Sequence, residues 1–164
     1  MATVRYCTPE WLEKCADGYR ATPKFKEAFK KLTISVFFQI EAEPDWGIDE
    51  AIIFGSTVDK GDLIDLAFFS GEEAKEKAEF ILGATPQEWK QLLRKEKKFI
   101  TDFMLGKITL IQGSKVGVLS IAPHADNFVA ALTQFELQFP DEMSAEELEA
   151  YRAHISEFRA RLGV

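Results

Sequence analysis

At 164 residues the chain is long enough for one domain with a proper hydrophobic core, and its 46% hydrophobic and 29% charged residues are those of an ordinary globular protein. A formal net charge of −7, with no basic stripe to offset it, repels phosphate backbones and argues against nucleic acid as a partner. No apolar run approaches the roughly 18 residues that a membrane span needs, and the opening MATVRYCTPEW lacks the apolar core of a secretory signal.

In chain order, Cys7 and Cys15 come first. They lie too far apart along a helix start to bridge easily, so they read as reduced thiols of a cytoplasmic protein. Thr8-Pro9, Thr22-Pro23 and Thr85-Pro86 mark helix starts, because Thr accepts a bond from an orphan N–H and Pro at the first helical position loses nothing. Thr85 with Glu88, and Ser144 with Glu147, add capping boxes, so helices are expected after residues 8, 22, 85 and 144. Between residues 33 and 70 the period changes to two. TISVFFQIEA is apolar at Ile34, Val36, Phe38, Ile40 and Ala42, with Phe37 the exception on the polar side. Two further strands, at 50–58 and 62–69, are joined by Asp59-Lys60-Gly61, and their stronger faces are Ile52, Phe54, Val58 and then Ile64, Leu66, Phe68. Local propensity makes EEAKEKAEFILGA (72–84) a helix. Phe99–Ile111 holds eight apolar side chains in thirteen residues and ends in a compact strand, GKITLIQG. A further helix is expected at about 125–135, where Phe128, Ala131, Leu132 and Phe135 share a face. Nothing repeats and no linker divides the chain, so residues 1–164 read as one α+β domain.

Reactive chemistry is sparse. His124 and His154 stand far apart, and no Ser-His-Asp arrangement suggests itself. Asp59, Asp62 and Asp65 lack calcium-loop spacing, Asp45 and Asp49 suit a solvated loop, and Gly113 and Gly117 are not followed by the Lys-Ser/Thr of a phosphate loop. No catalytic residue, metal or cofactor is therefore expected. Fourteen Phe against three Tyr and three Trp give an aromatic surface with few polar handles, which wants a dry environment.

Taken in order, the helices, three meandering strands, and KAEFILGATPQEWKQLLRKEKKFITDFMLGKITLIQGSKVGVLSI resemble the sterol carrier protein family. The likeness covers roughly residues 22–122. It rests on the Ala-acid-hydrophobic strand Ala78-Glu79-Phe80-Ile81-Leu82, a short helix at 86–94, a second helical turn at 99–105, and Gly106-Lys107-Ile108-Thr109-Leu110-Ile111-Gln112-Gly113. It implies a five-stranded, mostly antiparallel sheet covered on one side by helices, with a hydrophobic tunnel between the layers. It makes residues 76–83 the fourth strand and 107–112 the fifth, so that even positions Ala78, Phe80, Leu82, Ile108 and Leu110 point the same way as those of the first three strands. Residues 138–164 extend past the family core.

What the resemblance implies about function is non-enzymatic binding and transfer of a lipid-like ligand: a fatty acid, acyl-CoA, phospholipid or sterol. The expected floor of the tunnel is Val36, Phe38, Ile40, Ile52, Phe54, Leu66, Phe68, Phe80, Leu82, Ile108 and Leu110. Phe99, Phe103, Met104 and the neighbouring Leu105 would close one end of it, and Trp89 is a further expected ligand-binding residue. Two alternatives stand beside this reading: an interaction module whose interior is filled by side chains, and a small acyl-CoA enzyme with His124 as base. In the tail, Leu148, Tyr151, Ile155, Phe158 and Leu162 form one narrow stripe that must lie on something. It could serve as a lid over the tunnel mouth or as the contact of a homodimer.

Overall fold

The prolines of the three Thr-Pro pairs each open a helix in the computed structural model of the protein, which describes residues 3–164. These are α1 (Pro9–Ala21), α2 (Pro23–Phe29) and α4 (Pro86–Leu93). Thr8 Oγ1 accepts from the Trp11 amide, and Thr85 Oγ1 accepts from that of Glu88. Glu88 does not return the bond to Thr85; its carboxylate turns inward instead. The Ser144–Glu147 box is complete and starts the last helix, α8 (Ala145–Leu162), and an unanticipated Ser70–Glu73 box starts α3 (Gly71–Lys77). Residues 72–84 are therefore a helix and then a strand, because the helix stops at Lys77 and β5 begins at Phe80. The remaining helices are α5 (Phe99–Met104), α6 (Lys115–Ile121) and α7 (Ala125–Leu132).

The main sheet has the order β4-β3-β2-β5-β6, formed by β2 (Thr33–Ile40), β3 (Ile52–Asp59), β4 (Asp62–Phe69), β5 (Phe80–Ala84) and β6 (Thr109–Gln112). All pairs are antiparallel except β2–β5. The registers Phe38↔Phe54, Phe54↔Phe68, Phe38↔Leu82 and Leu82↔Leu110 put the even positions of all five strands on one face. Two of the apolar positions singled out in the sequence depart from that rule. A bulge at Thr57/Val58 seats Leu63 opposite Val58, so Ile64 turns outward and is 53% exposed. Ala78, ending α3, belongs to a small cluster on the opposite face with Phe37, Phe69, Ala74 and Ile81. That cluster also accounts for the apolar Phe37. A Cβ on its cross-strand neighbour Gly55 would stand 2.5 Å from the Phe37 ring, so only glycine fits there.

A second, two-stranded parallel sheet pairs β1 (Thr3–Arg5) with β7 (Glu136–Gln138). Three-residue strands leave too little pattern to read from sequence. The tail is no appendage: Tyr151, Ile155 and Phe158 of α8 are buried in the main core. The Phe158 ring stacks on Phe68 at 5.1 Å, and the Tyr151 hydroxyl donates to the Tyr6 carbonyl. Arg159 donates to the carbonyls of Glu50 and Ala51, each at 2.8 Å. The stripe expected to act as a lid or dimer contact is thus consumed within the chain, and of its members only Leu162 is exposed. Truncating Phe158 to Ala should accordingly lower unfolding stability by about 3–5 kcal/mol in a urea titration. A loss under about 1 kcal/mol would show α8 to be loosely docked.

Candidate functional site

The helices do not close over the sheet everywhere. A cavity of about 330 Å³ lies between them, floored by Val36 and Phe38 of β2, Phe54 of β3 and Leu82 of β5. One wall is α4, through Trp89, Leu92 and Leu93, and the other is α7, through Ala125, Phe128, Val129 and Leu132. Both sets have the i, i+3, i+4 spacing of a single helix face. Aromatic packing fixes the floor and walls. Phe38 stacks on Phe54 at 5.0 Å, meets Trp89 edge-on at 5.7 Å and Phe128 at 6.3 Å. Trp89 Nε1 donates to the Gln39 carbonyl at 3.0 Å, which ties α4 to β2. Tyr6 also lines the cavity, and its buried hydroxyl has no partner among the described residues. A void of about 30 Å³ lies behind Phe38, Phe128 and Leu132.

Of the residues expected to form the tunnel, Val36, Phe38, Phe54, Leu82, Trp89 and Phe99 line this cavity. Leu66 borders the smaller void. Ile40, Ile52, Phe68, Phe80, Phe103 and Ile108 are buried in the main core away from the lining, because helices land on that part of the sheet. Phe68, for example, lies under Phe158, and the Phe80 ring packs against Gly117 of α6. Leu110 is half-buried beside Leu82 and outside the lining. Met104 is 57% exposed, and Leu105 is exposed as well, so neither closes the cavity. Half of the apolar run Phe99–Ile111 faces outward, namely Ile100, Met104, Leu105 and Ile111. Among the described residues, six of the eight exposed large apolar side chains fall between Ile100 and Leu119, the most exposed being Val116 at 78%.

Sequence reading missed the α7 wall as a lining, although it identified that helix and its apolar face. It also missed the rim. Lys95, Lys97 and Lys98 border the cavity, in the turn between α4 and α5 where Lys95 takes the left-handed conformation, uncommon for a residue with a side chain. Asp126 is the acidic residue of the lining. Behind the rim, Glu88 of α4 and Asp102 of α5 are both buried. Lys97 Nζ lies 3.7 Å from Glu88 and 4.0 Å from Asp102. Burial, then a hydrogen bond and repulsion from Asp102, push the Glu88 carboxyl up to about 7.

Other reactive groups lie elsewhere. His124 stacks on Phe29 outside the lining, and His154 pairs with Glu10 at 2.9 Å on the surface. Cys7 and Cys15 are buried free thiols, each raised to about 12 by burial. Among the described residues no group of three or more His, Cys, Asp or Glu side chains converges as a metal site, and no helix is long and apolar enough to cross a membrane.

No family model and no curated protein matches the chain. Solved structures do. A conserved hypothetical protein of Thermus thermophilus, described as a possible sterol carrier protein, is 16% identical with a TM-score of 0.69, over 80% of this chain and 90% of that one. A sterol carrier protein 2 is 17% identical at 0.62, over 76% and 92%. The apo form of sterol carrier protein 2 from Yarrowia lipolytica is 16% identical at 0.55, over 76% and 90%. The chain therefore has the sterol carrier fold: an α+β, five-stranded, mostly antiparallel sheet packed with helices.

Glu88 makes stability depend on pH. Its folded value of about 7 exceeds the ordinary 4.5, so its protonation favours the folded state fully below about 4.5, and this contribution is lost as pH rises through about 7. The urea midpoint of the parent should fall between about pH 5 and pH 8 relative to that of Glu88→Gln. Parallel pH profiles for the two proteins would contradict this assignment.

Proposed function

We propose that the protein is a non-enzymatic carrier that holds one lipid-like molecule in the cavity between sheet and helices and passes it on. The observation that carries this reading is an apolar void of about 330 Å³ in a chain with the sterol carrier fold. Its volume lies at the lower end of the roughly 300–1,000 Å³ common for small-molecule sites, which suits a single acyl chain better than a two-chain phospholipid. Each buried methylene contributes about 0.8 kcal/mol, so a long chain binds well with few polar contacts and without catalytic groups. Six aromatic and aliphatic residues singled out in the sequence would contact it: Val36, Phe38, Phe54, Leu82, Trp89 and Phe99. The two buried thiols fit a reducing compartment.

A second reading, an interaction module, is favoured by the exposed apolar side chains of residues 100–119. Native mass spectrometry separates the two. A carrier shows an added small-molecule mass on the monomer that organic extraction removes, whereas an interaction module shows an empty chain that associates as concentration rises. A filling substitution tests the site itself. Val129→Trp places an indole into the void from α7 and should weaken uptake of a fluorescent fatty-acid analogue at least about tenfold, with a melting temperature within a few degrees of the parent. Undiminished uptake by a folded Val129→Trp protein would place the ligand elsewhere.

A further inference from the structure

Glu88 and Asp102 are 8% and 3% exposed, and one oxygen of each, Glu88 Oε2 and Asp102 Oδ2, has no hydrogen-bond donor among the described residues. Two buried carboxylates with orphan oxygens are costly while both are ionised. The pair becomes satisfied when it holds one proton, since a carboxyl then donates and its neighbour accepts. Asp102 acts directly on Glu88, so a proton held between the two carboxyls would give the pair a donor. The nearest cation, Lys97, stands at 3.7 and 4.0 Å, beyond the roughly 3.2 Å limit of a good N–H···O bond. It is close enough to feel both charges and bonded to neither. Lys97 also lines the cavity, with Lys95 and Lys98 exposed beside it, so cations gather at this rim in a chain whose net charge is −7.

We propose that the cavity takes an amphiphile with an anionic head, that Lys97 receives the head, and that the Glu88–Asp102 pair controls Lys97 by gaining or losing one proton. This rests on the cavity being the ligand site. With a proton on the pair, one negative charge is internally hydrogen-bonded and the Lys97 ammonium is free to face the head. When the proton leaves, two buried carboxylates draw Lys97 inward and add their repulsion at the rim, so the anion is released. Burial, which pushes Glu88 up, sets the change near neutrality, although the proton belongs to the coupled pair. The other charged groups around it are Lys107, pushed down by the neighbouring Lys97, Lys95 and Lys98 in the same turn, and Asp126 from α7. Lys107 shares the pair's charge with Lys97 and so moderates the change. Asp126 opposes the anion.

The test compares decyl sulfonate, whose charge is constant through this range, with the neutral decanol, by calorimetric titration at about pH 5.5 and about pH 8. For the parent protein, sulfonate affinity should fall about tenfold toward the higher pH while decanol affinity stays level. Glu88→Gln, which fixes the neutral form, should keep the tight sulfonate affinity at both pH values, and Asp102→Asn provides the same test should Glu88→Gln fold poorly. Lys97→Met should lower sulfonate affinity at the acid pH and reduce its pH dependence. A pH-independent sulfonate affinity, or the same pH profile in the folded Glu88→Gln and Asp102→Asn proteins, overturns the proposal while normal decanol binding leaves the carrier reading standing. Failure of both probes to bind overturns both.

Discussion

The one parallel pairing in the sheet, β2 with β5, sets the geometry from which the rest follows. Parallel neighbours cannot be joined by a hairpin, so the chain leaves β2, builds the β3–β4 hairpin and α3, and returns. The register Val36↔Phe80 through Ile40↔Ala84 then places two floor residues, Phe38 and Leu82, side by side. It also fixes where β5 ends. Thr85 follows directly and starts α4, and Trp89 one turn later reaches back to the Gln39 carbonyl. Floor and first wall thus descend from a single strand pairing, with little freedom left between them.

The same placement explains an unusual use of a helix cap. At the third position of α4 a glutamate ordinarily closes a capping box, as Glu147 and Glu73 do in this chain. Glu88 has the sequence context for that role and gives it up. Its carboxylate enters a buried position against Asp102, where burial pushes it up to about 7. The capping rule is thus broken at one of the three Ser/Thr-x-x-Glu helix starts, beside the cavity rim. In a molecule otherwise poor in reactive groups, this is where titration and the cavity rim meet.

Most of the framework was legible in the residues, and the reasons differ by element. Thr-Pro pairs and capping boxes act through bonds within a few residues, so α1, α2, α4 and α8 begin where the sequence says. Parity along the strands told which face each residue takes, and the register confirms it for Phe38, Phe54, Phe68 and Leu82. Parity cannot tell which part of that face stays uncovered. Phe68 and Leu82 have the same parity, yet Phe68 lies under Phe158 and Leu82 faces the void, and the difference is made by a helix nearly a hundred residues away. The lysine rim was unreadable for a related reason. A run such as Lys95-Glu96-Lys97-Lys98 looks like any solvated turn until the fold brings α7 opposite and Asp102 beneath.

The contacts that tie the beginning of the chain to its end set the order in which it can fold. Tyr6 and Tyr151 are joined across 145 residues, and β1 has no strand partner until β7 exists. During synthesis Tyr6 and Trp11 are made well before Phe139, Tyr151 and Phe158, which share their core. That surface therefore stays exposed until residues 139–158 have been synthesised, a delay in which chaperone capture competes with folding.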